Sequence, residues 1–208
     1  MIATQAQQLL DAFLSCLLSD IEFQRTKDLR YEKSWNDATA LLLFPYRLST
    51  KGCAMFSVRV GLRFDAISEW IDYDDVQTQP TFATPIHLLR DNDPYTEWEY
   101  SSSQDLDRLK DLVLADIEAH AIPFIERYSK LAILRATLEC QEPRKWVSLG
   151  INVDRREVIM AAIQLIEGDR SGALRALDNA LVERNTALPK RRFQIEYLRK
   201  RIMAGGIA

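Results

Sequence analysis

The sequence predicts an α+β protein, in which helices pack with a small, mainly antiparallel sheet and an α-helical C-terminal subdomain follows. Three patterns indicate this class. Apolar residues recur at steps of three and four from Ala3 to Phe23, apolar and polar residues alternate from Phe56 to Phe64, and helical patterns alone fill the C-terminal part. Steps of three and four are typical of an amphipathic helix, whereas alternation is typical of a strand with one buried face.

The first predicted element is an N-terminal helix with a wide apolar stripe. The segment has no basic leader, and Asp11 and Asp20 interrupt its apolar run, so it lacks the pattern of a signal peptide. Nowhere do about 18 uncharged apolar residues run together, as a membrane-spanning helix requires. We therefore expect a cytoplasmic protein with no membrane partner, whose three cysteines are reduced and mostly buried.

The middle of the chain predicts two strands joined as an antiparallel hairpin. A charge-rich stretch from Gln24 to Asp37 carries no predicted element, and the apolar run from Ala40 to Phe44 then predicts a strand buried on both faces. A Lys-Gly turn at 51–52 precedes the alternating strand from Phe56 to Phe64, whose even-numbered side chains should lie in the core. Asp65 then begins a short helix.

Two further strands are predicted before helices take over. The segment from Thr81 to Leu89 contains Pro85, which cannot donate a ladder hydrogen bond and so indicates an edge strand or a bulge. Thr96 to Tyr100 alternates again and is the last predicted strand. A helical stripe follows, and Pro123 opens a second helix that should extend to Leu138, because proline is favoured in the first turn.

A change in the sign of the charge predicts a domain boundary. Residues 141–208 carry 13 Lys and Arg against 8 Asp and Glu, a net charge of +5, whereas residues 1–140 carry −8. Together with the break at Glu142-Pro143, this predicts an α+β domain at 1–140 and a helical subdomain at 141–208.

The helical subdomain contains one helical hairpin with a recognisable turn. Gly168-Asp169 separates two helical patterns between Ala161 and Leu181, and small residues recur on one face of the second. This segment faintly resembles half of a tetratricopeptide repeat. No second copy is present in the sequence, and such repeats need about three neighbours to bury a continuous core. We therefore expect an isolated hairpin and no peptide-binding solenoid.

The basic C-terminal helix does not have the pattern of a nucleic-acid-binding helix. Its apolar residues Ile195, Leu198 and Ile202 share a narrow stripe, while the basic residues are spread around the helix. A DNA-binding helix would place its basic side chains on one side. We therefore expect a docked structural helix and no nucleic-acid partner. The basic residues are Lys190, Arg191, Arg192, Arg199, Lys200 and Arg201.

Sequence motifs for catalysis and cofactor binding are missing. The seven glycines form neither of the phosphate-binding loop patterns, and no serine lies in a GxSxG turn. His87 and His120 are the only histidines, and the cysteines are widely spaced, so no zinc-ligand spacing occurs. We therefore expect no cofactor and no metal, and the sequence leans against an enzyme. It predicts no oligomeric state.

The central segment is strongly acidic and contains aromatic residues. Between Asp65 and Asp107 there are 11 carboxylates and one base, Arg90. Acids with interleaved aromatic rings suit a binder of a basic protein, because charge steers encounter and rings anchor the contact. The predicted partner-binding residues are Trp70, Asp72, Tyr73, Asp74, Asp75, Asp91, Asp93, Tyr95, Glu97 and Glu99.

An alternative reading is a metal-dependent hydrolase or nuclease that uses the acids at 91–99. Glu97 and Glu99, two apart on a predicted strand, point to the same face and would hold Mg²⁺ together with Asp91 or Asp93. Nucleases of the restriction-endonuclease kind follow such acids with a lysine two positions on, where this chain has Ser101. Both readings stay open at the level of sequence.

One resemblance extends the protein-binding reading. The segments at 80–85, 98–100 and 123–128 resemble uncharacterised bacterial α+β families in which a small sheet is followed by helices. Some of those families lie beside toxin genes and are considered immunity proteins. The resemblance implies a non-enzymatic bacterial protein that neutralises a basic toxin through its acidic surface.

Overall fold

The chain has an α+β fold, as the sequence predicts, and its contacts divide it into two compact units. The first unit comprises Met1–Leu62 and Ala83–Lys130, and the second comprises Arg63–Phe82 and Leu131–Ala208. Each unit therefore uses two separate stretches of chain, and the division at 1–140 and 141–208 stays a prediction about which parts fold alone. The computed structural model describes residues 2–50, 52–71, 79–90, 95–140, 142, 146, 148–151, 153–182 and 189–205.

The strands form two sheets, and most of the helices follow the strands in the chain. A five-stranded sheet has the strand order β1-β2-β3-β6-β7, and a three-stranded sheet has the order β4-β5-β8. The strands are β1 (Gln24–Lys27), β2 (Arg30–Trp35), β3 (Ala38–Leu43), β4 (Tyr46–Leu48), β5 (Ala54–Phe56), β6 (Arg59–Arg63), β7 (Phe82–Pro85) and β8 (Trp98–Tyr100). The helices are α1 (Ala3–Ser19), α2 (Asp65–Ile71), α3 (Ser103–Asp116), α4 (Ile122–Tyr128), α5 (Leu131–Glu139), α6 (Val153–Ile166), α7 (Arg170–Val182) and α8 (Pro189–Met203).

The charge-rich stretch at 24–37 forms two strands that the sequence did not predict. β1 pairs antiparallel with β2, and β2 pairs antiparallel with β3 over six residue pairs. Leu29 and Asn36, with φ of 52° and 50°, turn the chain between these strands. The hydrophobic pattern is missing here because polar and charged residues fill most positions of these strands. Arg30 and Tyr31 are the buried residues of β2, and only Tyr31 is apolar enough to pack in the core.

For the alternating segment from Phe56 to Phe64, the predicted burial is confirmed, but the prediction of a single strand is wrong. All five of its even-numbered side chains are buried, as predicted. The backbone, however, ends β5 at Phe56 and begins β6 at Arg59, and the two strands belong to different sheets. Between them, Ser57 donates its N–H to the Pro45 carbonyl at 3.1 Å. Alternation reports which side faces the core and says nothing about the neighbouring strand.

The predicted neighbouring of the two strands is correct for β6, which lies beside β3. The turn at Gly52, with a φ of +80°, instead joins β4 to β5, which pair antiparallel with Tyr46 opposite Phe56. Pro45 ends the apolar run, and the strand that follows it, β4, belongs to the other sheet.

The core of the first unit packs α1 on aromatic side chains of the small sheet. Leu10, Leu14 and Leu17 of α1 are buried, which confirms the predicted stripe. The Phe56 ring stacks on Trp98 with centroids 5.4 Å apart. The exposed position of Cys16 in α1 differs from the expectation of a buried thiol.

Pro123 lies in the first turn of α4, as predicted, but α4 continues directly from the preceding helix. A π-helical turn from Ile117 to Ala121 joins α3 directly to α4, and the Ile122 N–H reaches the Ile117 carbonyl. A π turn accommodates a proline that follows it, because the local hydrogen-bond register has already shifted. The predicted helix to Leu138 instead ends at Tyr128, and a bend at Ser129 precedes α5.

The described part of the second unit is mainly helical. The predicted turn is confirmed: Gly168 has a φ of +82°, and the Asp169 carboxylate accepts the Gly172 N–H at 2.8 Å at the start of α7. The residues predicted to lie on the packing face of this helix, Ala173, Leu177 and Ala180, are buried. The C-terminal stripe of Ile195, Leu198 and Ile202 is buried as well.

Arginines of the second unit donate to backbone carbonyl groups. Arg201 reaches the Glu69 carbonyl at 2.9 Å, and Arg156 reaches the Leu138 carbonyl at 2.7 Å. The last carbonyls of a helix have no partner within the helix, so an arginine there supplies both a hydrogen bond and a favourable charge. Among the described residues, no helix is both long and apolar enough to span a bilayer.

Candidate functional site

Four of the ten predicted partner-binding residues lie in the described part of the chain. Tyr95, Glu97 and Glu99 belong to the first unit, and Trp70 belongs to the second. The structure therefore brings three of them together. The other six, Asp72, Tyr73, Asp74, Asp75, Asp91 and Asp93, lie outside the described residues.

Trp70 has a packing role within the second unit. Its residue is 8% exposed, and the Arg201 guanidinium lies 5.1 Å from the centre of its ring. A cation over a ring face is held by the negative charge density of the aromatic face. Arg201 thus joins α8 to α2 through both the ring and the Glu69 carbonyl, and the ring has little surface left to offer a partner.

The remaining three residues lie on the side of the three-stranded sheet that faces away from the aromatic core. The register places Arg47 opposite Met55, and Met55 opposite Glu99. Because side chains alternate along a strand, Trp98 and Tyr100 are buried on the other side. We call this surface the β8 face and define it by Arg47, Met55, Tyr95, Glu97 and Glu99.

Glu97 forms a bidentate ion pair with Arg47 on this face. The guanidinium Nε lies 3.0 Å from one carboxylate oxygen and Nη2 lies 2.6 Å from the other. The hydrogen bond from Arg47 lowers the pKa of Glu97, and the Glu97 carboxylate raises the pKa of Arg47. The Glu97 side chain is 11% exposed while Arg47 is 60% exposed, so the arginine covers the acid from solvent.

Tyr95 is the exposed aromatic residue of the β8 face. Its residue is 59% exposed, its hydroxyl donates to Glu97 at 3.0 Å, and its ring packs edge-on against His87 with centroids 4.8 Å apart. These two contacts fix the orientation of the ring and leave most of its surface accessible. An exposed ring that is already ordered loses little conformational entropy when a partner covers it.

A buried ion pair supports the segment that carries Tyr95. Arg90 makes two hydrogen bonds to Asp116 of α3, at 2.9 and 2.5 Å, and donates to the Thr96 hydroxyl at 2.8 Å. The two charged side chains are about one tenth exposed, at 10% and 9%. The one base between Asp65 and Asp107 is therefore bonded to an acid from outside that segment, and it positions the chain leading into β8.

Glu99 is the exposed acid of the face and has an unusual donor. The Cys53 thiol donates to its carboxylate at 2.5 Å, and Cys53 itself is buried. Neither Cys53 nor Arg47 was identified from the sequence. Both lie more than forty residues from their partners, and only the pairing of β4, β5 and β8 brings them into contact.

The described acids of the β8 face already have hydrogen-bond partners within the protein. Within the described ranges, no group of three or more His, Cys, Asp or Glu side chains is placed to hold a metal ion. Glu97 is bonded to Arg47, and Glu99 to Cys53, so a metal would have to displace both donors. Asp91 and Asp93, the other acids of the alternative reading, lie outside the described residues.

Comparison with known proteins leaves the site to be interpreted from its own geometry. No protein family, no curated protein and no solved structure matches this chain. The resemblance to bacterial families beside toxin genes stays a prediction.

Proposed function

We propose that this chain is a non-enzymatic protein that binds a basic protein partner through the β8 face. The observation that carries the proposal is the exposed, ordered Tyr95 ring beside Glu97 and Glu99. Tyrosine is enriched at protein interfaces because it buries a large rigid surface while its hydroxyl stays hydrogen-bonded. The partner we propose is a basic bacterial toxin, which the chain would neutralise; the resemblance described above supports this narrower identity.

The charge of the segment supports a basic partner. Arg90 and Arg47 both bind carboxylates, and the Asp65 to Asp107 segment keeps a large excess of acids. Asp91 and Asp93 precede Tyr95 by four and two residues in the sequence. A surface of one sign raises the rate of encounter with a partner of the opposite sign, and this gain is lost as salt is added.

The basic residues of the second unit do not argue for nucleic acid as the partner. Arg201, Arg156 and Arg170 donate to backbone carbonyls, and Arg199 pairs with Asp178 at 2.7 Å. Guanidinium groups that already have partners within the protein are poorly placed to neutralise phosphates. The proposal accordingly assigns these arginines a structural role.

A photo-crosslinking experiment in the source cell tests the proposal. The crosslinking amino acid p-benzoylphenylalanine is placed at position 95 in one variant and at position 112 in a matched control. Leu112 lies in the same unit and is 62% exposed, close to the 59% of Tyr95. We expect a basic protein to be captured from position 95 and not from position 112.

The competing metal hydrolase predicts a different outcome. Titration calorimetry with Mg²⁺, Mn²⁺ and Zn²⁺ should show no stoichiometric site in the full chain. Tight binding of one metal that is lost in the Glu97→Gln, Glu99→Gln double variant, without capture of a basic protein at position 95, would contradict the protein-binding function.

A further inference from the structure

A groove at the end of β2 combines an aromatic ring with several acids. Its volume is about 340 Å³, within the range of small ligand sites, which begins at roughly 300 Å³. Ile21, Trp35 and Ile122 form its apolar walls. All of these residues belong to the first unit, and none belongs to the β8 face.

The rim of this groove is negatively charged. It carries Asp20, Glu22 and Glu118. Glu22 is bonded to Lys33, but within the described part of the chain the carboxylates of Asp20 and Glu118 make no hydrogen bond or ion pair, and both residues are exposed. Asp20 directly follows α1, so the negative end of the helix dipole adds to the potential at this point.

Lys33 shows what kind of group the ring accepts. Its ammonium lies 4.8 Å from the centre of the Trp35 ring and donates to the Ile21 carbonyl at 3.1 Å and to Glu22 at 2.8 Å. An ammonium at that distance is attracted to the ring face. The groove thus already binds one cation of the chain itself between a ring, a carbonyl and a carboxylate, and two further carboxylates remain unused.

We propose that this groove, the Trp35 groove, binds an arginine or lysine side chain of a basic polypeptide. The incoming cation would stack on Trp35 in competition with Lys33, and the carboxylates of Asp20 and Glu118 would accept its N–H groups. Charge complementarity selects this occupant, because three acids lie around the ring and Lys33, the base among the described lining residues, is bonded to Glu22. The proposal uses no residue of the β8 face and stands or falls separately from the proposed function.

The side chain of Trp35 gives a specific readout. The other three tryptophans, Trp70, Trp98 and Trp146, are each 8% exposed or less, whereas Trp35 is only partly buried. In ¹H–¹⁵N spectra of the full chain, the four indole N–H signals can be followed separately, and the spectrum of a Trp35→Phe variant assigns the Trp35 signal. An acetylated, amidated hexa-arginine peptide is the probe. We expect it to move the Trp35 signal and to leave the other three nearly in place.

Two pairs of substitutions with the same change of charge distinguish binding at the groove from general attraction of the peptide to the negative charge of the protein. The groove pair is Asp20→Asn with Glu118→Gln, and the control pair is Asp107→Asn with Asp111→Asn, two exposed acids on α3. If each carboxylate contributes as an exposed ion pair does, the groove pair should weaken peptide binding roughly fivefold more than the control pair. Equal weakening by both pairs would overturn the proposal, since it would show attraction to net charge alone.

Removal of the Lys33 ammonium should have the opposite effect on the affinity for the peptide. Lys33→Met frees the ring face and leaves Glu22 without its partner, so hexa-arginine should bind several-fold more tightly. Weaker binding of hexa-arginine to Lys33→Met, an unmoved Trp35 signal in the parent, or binding of a hexa-glutamate peptide that Lys33→Met abolishes would each contradict the proposal. The last result would identify the groove as an anion site built on Lys33.

Discussion

The two units illustrate two different uses of arginine. In the first unit, Arg90 and Arg47 bind carboxylates, and both are bidentate. In the second unit, Arg201 and Arg156 bind carbonyl oxygens near the ends of helices. Ion pairs occur there as well, since Arg156 also pairs with Glu157 and Arg199 pairs with Asp178. The first use cancels a charge, and the second does not. The comparison shows why net charge along the sequence is a poor guide to binding surfaces, because the basic unit uses its cations to hold helices together.

The comparison also explains where negative charge remains available. The acidic segment contains one arginine, Arg90, which forms its ion pair with Asp116 in α3. Glu99 keeps an exposed carboxylate whose donor is a thiol rather than a cation. Both proposals rely in part on acids whose described contacts include no cation, namely Glu99 in the β8 face and Asp20 and Glu118 in the Trp35 groove.

The largest expected effect comes from the buried ion pair. Arg90→Met leaves Asp116 charged and 9% exposed without its cation, and breaking a buried pair in this way costs about 3–5 kcal/mol. Urea unfolding of the full chain, followed by circular dichroism, measures the loss.

A double variant provides the control for this substitution. Arg90→Met with Asp116→Leu removes both charges, and its stability should recover to within about 1–2 kcal/mol of the parent, because no uncompensated charge remains. A double variant as unstable as Arg90→Met alone would show that packing rather than charge holds this part of the first unit.

A carbonyl-bound arginine should matter less and in a different way. Arg201→Met loses a hydrogen bond to the Glu69 carbonyl and the cation over Trp70, and we expect a loss of about 1–2 kcal/mol. The side chain keeps its apolar stem, so packing is largely preserved. Unfolding curves for Arg201→Met and the parent measure this loss. A loss as large as that of Arg90→Met would remove the distinction between carboxylate-bound and carbonyl-bound arginines.

Tyr100 tests the aromatic core under the β8 face. Its hydroxyl donates to the Ala6 carbonyl at 3.0 Å, and burial raises its pKa to about 12. Because the unfolded value is near 10, this stabilisation is complete below about pH 10 and is lost as pH rises towards 12. Tyr100→Phe should be about 1 kcal/mol less stable at neutral pH and should lose less stability between pH 10 and 12. Parallel alkaline losses in parent and variant would contradict this assignment.

The smallest expected effect is at the start of α3. Asp105 accepts hydrogen bonds from Ser101 and Ser102 in a capping box, and these bonds lower its pKa to about 2. The stabilisation is present above about pH 4 and is lost as pH falls towards 2. Asp105→Asn should therefore flatten the acid side of a plot of melting temperature against pH. An unchanged acid limb would show that the cap contributes nothing measurable.

Local patterns of the sequence predicted burial and several boundaries, while pairing required the structure. The α1 stripe, the Gly168 turn and the edge position of Pro85 follow from residue chemistry alone. The break at Ser57 does not, because an apolar face looks the same whether one strand or two present it. The turn at Asn36 was missed for a related reason, because β2, the strand that precedes it, has no alternating hydrophobic pattern.

The candidate site was predictable in composition and not in geometry. The excess of acids and the presence of Tyr95 are visible in the sequence. The partners of Glu97 and Glu99 are fifty and forty-six residues away, at Arg47 and Cys53, and no spacing rule connects them. Trp70 lies in the same acidic and aromatic stretch of sequence, yet it is buried in the second unit.

The central claim is that Tyr95 and Glu99 of the β8 face bind a basic protein. The direct measurement is the rate of association and of dissociation of the protein captured at position 95, followed across a range of salt concentrations. Glu99→Lys should slow association and weaken its salt dependence, Tyr95→Ala should speed dissociation by about tenfold or more, and the control Asp111→Lys should stay close to the parent. Association that ignores salt, or variants at positions 95 and 99 that bind as the parent does, would contradict the claim.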